Sequence, residues 1–154
     1  MTISSIVQFN IQISNDLTRN VEPLLHEIKH ALDNLIESGK TSIIDLRSIP
    51  LAPGEEDTIL RTLGQGEVSA TLDTLGVSEV IETGYAGVWL ITHYNDEHQI
   101  ISRFIEITTI PEILTSQTED MLSAFSRLSA SLNQDKQNQH EHDETLYQSS
   151  LEIK

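Results

Sequence analysis

Between Glu67 and Thr109 the apolar residues recur with a period of two, whereas before Gly39 they recur at helical spacing. That switch constrains the fold more than any other feature. A helix cannot satisfy the alternation, and a strand cannot satisfy the earlier 3.6-residue stripe. In the period-two region Val68, Ala70 and Leu72 alternate with Glu67, Ser69, Thr71 and Asp73. VSEVIET and GVWLITHY follow, then a turn at Asn95-Asp96-Glu97, then QIISRFIEITT. GVWLITHY is apolar on both faces, the pattern of a central strand.

Ahead of this region, Leu17, Val21, Leu24, Leu25, Ile28, Leu32, Leu35 and Ile36 form one helical face. Asn20 is placed to cap that helix through its side chain, Pro23 tolerates the first turn, and Gly39 stops it. TSIIDL reads as a short buried strand. RSIPLAPG then leads to a short helix from Glu55 to Leu63, with Ile59, Leu60 and Leu63 as its apolar side. The N-terminal ISSIVQFNIQIS reads as a strand or an extended arm. Ser116-Gln-Thr-Glu119 is a capping box, so a last helix is expected from Ser116, with Met121, Leu122, Phe125, Leu128 and Leu132 as its stripe. After Leu132 the residues are polar and almost free of core formers, so 133–154 are expected to be disordered and 1–132 to form one domain. These elements make an α+β, two-layer domain: a largely antiparallel sheet covered on one face by helices.

The net charge of −15 argues against general affinity for nucleic acid or anionic membranes, which requires a basic surface. No cysteine is present, which excludes thiol catalysis and thiolate-held clusters. MTISSIVQFN lacks a basic, apolar leader and no later run has membrane-spanning length, so a cytoplasmic protein is expected.

LGQGEVS places two glycines before an acid, but a dinucleotide fingerprint needs a strand first and a helix afterwards. Here a helix ends at Leu63 and a strand begins after Gly66, so Gly64 reads as a left-handed helix cap and Gly66 as a flexible lead into the strand. His26 and His30 have the i, i+4 spacing of metal ligands, yet they lie opposite the apolar stripe and read first as a solvated face. His140 and His142 offer a second, looser pair. Glu67, Glu82 and His93 can be assembled into an acid/base site if the strands bring them together, although single polar residues on a half-exposed sheet are ordinarily just solvated. Trp89 reads as core or as an exposed anchor for a partner. Residue chemistry thus leaves a metal-delivery protein, using His26/His30 or the tail, and an acid/base enzyme, using Glu67/Glu82, as alternatives to a binding protein.

Three stretches, LLHEIKHALDNLIESGKTSIIDLRSIPLAPGEE, LGQGEVSATLDTLGVSEVIETGYAGVWLITHY and IEITTIPEIL, occur in this order. Together they resemble the C-terminal domain of the HupH/HyaF family of nickel–iron hydrogenase expression/formation proteins. The most specific pieces are LGxGEV with ATLD, ET-x-x-x-GVW, and PEIL, and the likeness runs from about Leu24 to Leu114. Many members carry a longer portion ahead of this domain. The resemblance implies an accessory, chaperone-like and non-enzymatic role. The expected partners are a hydrogenase subunit precursor, the iron–sulfur small subunit, and other maturation proteins, with no cofactor or metal of its own. It implies no catalytic residues. On these motifs Glu67, Glu82, Thr83 and Trp89 are expected to meet the partner, and Gly64, Gly66, Gly87 and Pro111 to shape the backbone.

Overall fold

The structure, a computed structural model, describes residues 18–73 and 76–151, with side chains described up to residue 134. The N-terminal strand or arm and Leu17 lie outside the described residues. Two compact units divide the chain between Pro111 and Glu112.

In the first unit, helix α1 (Val21–Ser38) precedes strand β1 (Ser42–Asp45), and helix α2 (Glu55–Leu63) precedes a run of four strands. These are β2 (Ser69–Asp73), β3 (Val77–Glu82), β4 (Val88–Tyr94) and β5 (Ile100–Ile107). The sheet order is β1-β5-β4-β3-β2 with every pair antiparallel, so β2 to β5 form a meander and β1 crosses to its far edge. The expected α+β class, with helices against an antiparallel sheet, is therefore the observed one.

The core lies between the helices and one sheet face. Leu24, Ile28 and Ala31 of α1 and Ile59 and Leu63 of α2 pack with Ile44, Val88, Ile105 and Ile107. Strand alternation sends Val80, Trp89 and Ile91 to the other face, where they too are buried, as the two-sided apolar pattern of β4 predicts. Ile36, counted in the helical stripe, is instead 76% exposed, at the stripe's C-terminal margin. Gly39 does end α1 in the left-handed region (φ 69°), its N–H donating to Leu35 O at 2.9 Å.

Asn20 corrects the capping expectation. Its backbone sits near the helical region, so its side chain does not turn back to the first-turn amides. Its Nδ2 donates to Pro50 O at 2.8 Å instead, tying the start of α1 to the loop before α2. Glu55 makes the same junction from the other side. This carboxylate is 2% exposed and accepts from Arg19 N at 2.9 Å, Ala52 N at 2.8 Å and the Thr18 hydroxyl. At the turn after β4, Asn95 Oδ1 accepts from Glu97 N at 3.0 Å and Gln99 N at 2.9 Å, so its side chain fixes the expected hairpin.

In the second unit, helix α3 runs from Thr118 to Leu151. It starts two residues after Ser116, and Met121 N donates to Gln117 O at 3.1 Å. Residues 133–151, expected from their composition to be disordered, lie on the continuation of α3. The segment contains no glycine or proline, and Gln and Glu are its commonest residues, so it can prolong an existing helix without a core of its own. Met121, Leu122, Phe125, Leu128 and Leu132 are exposed. No helix among the described residues is long and apolar enough to cross a membrane.

Candidate functional site

The two glycine-bearing motifs meet at one place. Helix α2 closes with Gly64 N donating to Leu60 O at 2.9 Å. Gly64 has φ 65° and ψ −163°, which differs from the expected left-handed cap: φ is positive, but ψ is extended, a combination open essentially to glycine alone. The chain therefore leaves the helix extended, and its carbonyls face the loop after β3. Leu63 O accepts from Gly84 N at 2.8 Å, Glu82 O accepts from Gly66 N at 2.7 Å, and Glu82 N donates to Val68 O at 2.8 Å. A Cβ on Gly66 would lie 2.5 Å from Thr83 O, so the two backbones approach too closely for any side chain. LGQGEV and ETG are thus zipped main chain to main chain, which agrees with punctuation rather than a phosphate loop.

Residues 83–88 then form a tight loop. Thr83 N donates to Val88 O at 2.9 Å, Val88 N to Tyr85 O at 3.0 Å, and the Thr83 hydroxyl bridges Tyr85 N and O. Gly87, at φ 82°, passes beneath α1, where its missing side chain would sit 3.4 Å from Leu32 Cδ1. Because Gly84, Ala86 and Gly87 carry little or no side chain, an open groove of about 250 Å³ remains between this loop and the helices. Leu25, Ile28, Lys29 and Leu32 of α1 line it, with Thr62 and Leu63 of α2, Tyr85 and Val88. No carboxylate or imidazole is among them, so the lining is predominantly apolar, with Lys29, Thr62 and Tyr85 as its polar residues. Sequence reading missed the groove because its walls come from segments about sixty residues apart.

Glu67 is exposed, and the two hydrogen bonds of Glu82 straddle it. Glu82 is half-buried at the end of β3. Thr83 and Trp89 correct the expectation of a partner-facing surface. Thr83 is 3% and Trp89 5% exposed, and the indole N–H donates to Thr108 O at 3.0 Å, so both are consumed internally. Val68, assigned to the core side of β2, is 45% exposed and lies just before β2, which begins at Ser69. Pro111 is fully buried.

The Gly66–Glu82 and Glu82–Val68 main-chain bonds make Glu67 and Glu82 neighbours, but His93 does not join them. His93 lies opposite Ser78, whose hydroxyl is 2.7 Å from His93 Nδ1, and Glu82 is four residues further along β3. That spacing separates Glu82 from His93 by roughly 13 Å. His26 and His30 are both exposed on α1, with His26 Nε2 3.8 Å from Glu22 rather than paired with a second imidazole. His140 and His142 lie in α3 beyond the described side chains. Elsewhere, Arg103 pairs with Glu56 and donates to Thr92 Oγ1 at 3.2 Å, fastening α2 to the sheet. Beside it Tyr94 donates to Glu79 at 2.8 Å, and burial, seconded by that carboxylate, pushes the phenol's pKa up.

A family model described as HupH hydrogenase expression protein, C-terminal conserved region, matches residues 18–134. The chain is similar to the hydrogenase expression/formation protein HupH of Rhizobium leguminosarum bv. viciae, 28% identical over 109 residues that cover 71% of this chain and 39% of that protein. It is also similar to the hydrogenase expression/formation protein HoxQ of Azotobacter vinelandii, 24% identical over 111 residues with the same two shares, 71% and 39%. The chain thus matches about two-fifths of the length of these curated relatives. Among solved structures, the hydrogenase expression protein HupH from Thiobacillus denitrificans superimposes with a TM-score of 0.72 at 39% identity, covering 75% of this chain and 96% of that one.

Proposed function

The chain belongs to the HupH family of hydrogenase expression proteins, and from that premise we propose that it acts in nickel–iron hydrogenase maturation by binding a subunit precursor, the iron–sulfur small subunit, without catalysing a reaction. The supporting observation is the groove. It is apolar, open and free of carboxylates and imidazoles, and its lining, apart from Thr62, comes from two of the three stretches that carry the family likeness: Leu25, Ile28, Lys29 and Leu32 from the first, Leu63, Tyr85 and Val88 from the second. Such a surface suits a chaperone, which has to hold an unassembled apolar segment reversibly while excluding water from it. The work is placed in the cytoplasm, where a precursor is met before export, and other maturation proteins join the same complex.

Tagged protein is expected to recover the small-subunit precursor from cells, and deleting the gene should lower hydrogenase activity while subunit synthesis continues. Normal activity in a deletion strain without a paralogue overturns the reading. Tyr85 is 52% exposed at the groove and contributes its main chain, not its ring, to the loop's hydrogen bonds. Tyr85→Ala should therefore keep the melting temperature and weaken precursor binding roughly tenfold, the effect typical of losing an aromatic anchor. Unchanged affinity would move the contact away from the groove.

A further inference from the structure

Strand β2 is an edge. Its inner side pairs with β3 from Ser69 to Asp73, and among the described residues no strand pairs with its outer side. The bond from Glu82 N to Val68 O fixes which main-chain groups face which way. Counting by twos along the antiparallel ladder, Ala70 and Leu72 direct their N–H and C=O groups to β3, and Ser69, Thr71 and Asp73 direct theirs outward. All three are exposed. The opposite edge is less accessible: β1 has four residues, and Arg47 donates to the carbonyls of Ile100 and Ile101, where β5 runs past it.

Charge selects the occupant. From Glu67 to Glu82 the sequence holds Glu67, Asp73, Glu79 and Glu82 and no Lys, Arg or His. A second copy pairing β2 with β2 would set two such acidic edges against each other. An extended strand bearing Lys or Arg at alternate positions would meet complementary charge along the ladder.

We infer that the outer edge of β2 is a strand-addition site for an extended, basic segment of the client. Ser69, Thr71 and Asp73 supply the main-chain hydrogen bonds, and Glu67 and Asp73 supply the charge. This deepens the client-binding reading and rests on it for the client's identity. The acids serve two ends, since the same charges that recruit a basic strand keep copies of this chain from pairing edge to edge.

The test uses the full chain with a short alternating Arg-Val peptide as probe and an alternating Glu-Val peptide as control. Amide exchange at Ser69, Thr71 and Asp73 should slow with the basic peptide and remain unchanged with the acidic one. The double variant Glu67→Lys/Asp73→Lys, exposed at both positions, should fold normally and bind the Arg-Val peptide roughly tenfold more weakly. Binding of that peptide without protection of the three amides overturns strand addition, and so does equal protection by both peptides. Protection that grows with protein concentration in the absence of peptide assigns the edge to a second copy and likewise overturns the inference. Equal capture of the small-subunit precursor by wild type and the double variant rejects edge docking and leaves client binding standing. Peptide protection without precursor capture keeps the edge site and rejects the client.

Discussion

Gly66→Ala is expected to destabilise the fold by about 3 kcal/mol, at the upper end of what overpacking costs. The added Cβ would stand 2.5 Å from Thr83 O and 3.1 Å from Glu82 O, and both obstacles are main chain, which cannot rotate aside. Relief requires parting the LGQG and ETG segments, and that breaks the Gly66–Glu82 and Leu63–Gly84 hydrogen bonds. For a domain of this size the loss corresponds to roughly 10 °C in melting temperature. Gly64 offers an internal comparison. A Cβ there meets nothing within 4 Å, so its cost is conformational only, about 1–3 kcal/mol. Asn, which rescues ordinary left-handed caps, should not rescue Gly64, because ψ there is −163°. Thermal melts of the three variants decide the matter. A Gly66→Ala protein as stable as wild type would mean that the two segments do not touch as described. A stable Gly64→Asn would restore the simple left-handed cap.

These two glycines also show how far the sequence could be read. That GQG was punctuation followed from element order, since a helix preceded it and a strand followed. Which punctuation it was did not follow, because Gly66 answers to Thr83, seventeen residues away and across a strand pair. The meander from β2 to β5 was legible for a related reason: its pairings are between neighbours, and period-two alternation declares each face. Pairing of β1 with β5 joins residues about sixty positions apart, and TSIIDL carries no signal for its partner. Trp89 shows the limit at single residues. Its strand was evident, but only the position of Thr108 O decides that the indole is an internal donor and not an anchor. The polar end of the chain is legible only in part, because its composition argues against a core and says little against a helix.

Glu55 gave no sequence signal either, being one of three consecutive acids at the start of α2, and it carries the prediction that depends on pH. Its side chain is buried and surrounded by donors. The Thr18 hydroxyl, ahead of the amides of Ala52 and Arg19, holds its carboxyl below the usual carboxylate range, although burial acts in the opposite direction. A carboxylate with a lowered folded-state pKa binds its proton more weakly in the folded than in the unfolded chain. Its contribution to stability is therefore fully present above the unfolded value, about 4.3, and is lost as pH falls through the folded one. Glu55→Gln keeps the shape but turns an NH₂ toward groups that are themselves donors, so one of the three bonds becomes a repulsive contact. The variant should melt well below wild type at neutral pH, with α1's first turn, anchored through Thr18 and Arg19, loosening first in amide exchange. The gap between the two proteins should hold constant down to about pH 5 and narrow on further acidification as the wild-type carboxylate takes up its proton. A gap independent of pH through the acid range would assign the loss to packing at the amide and not to the ionised carboxylate. No gap at all would mean that α1 and α2 are joined by their apolar faces alone, with Glu55 a bystander at the junction.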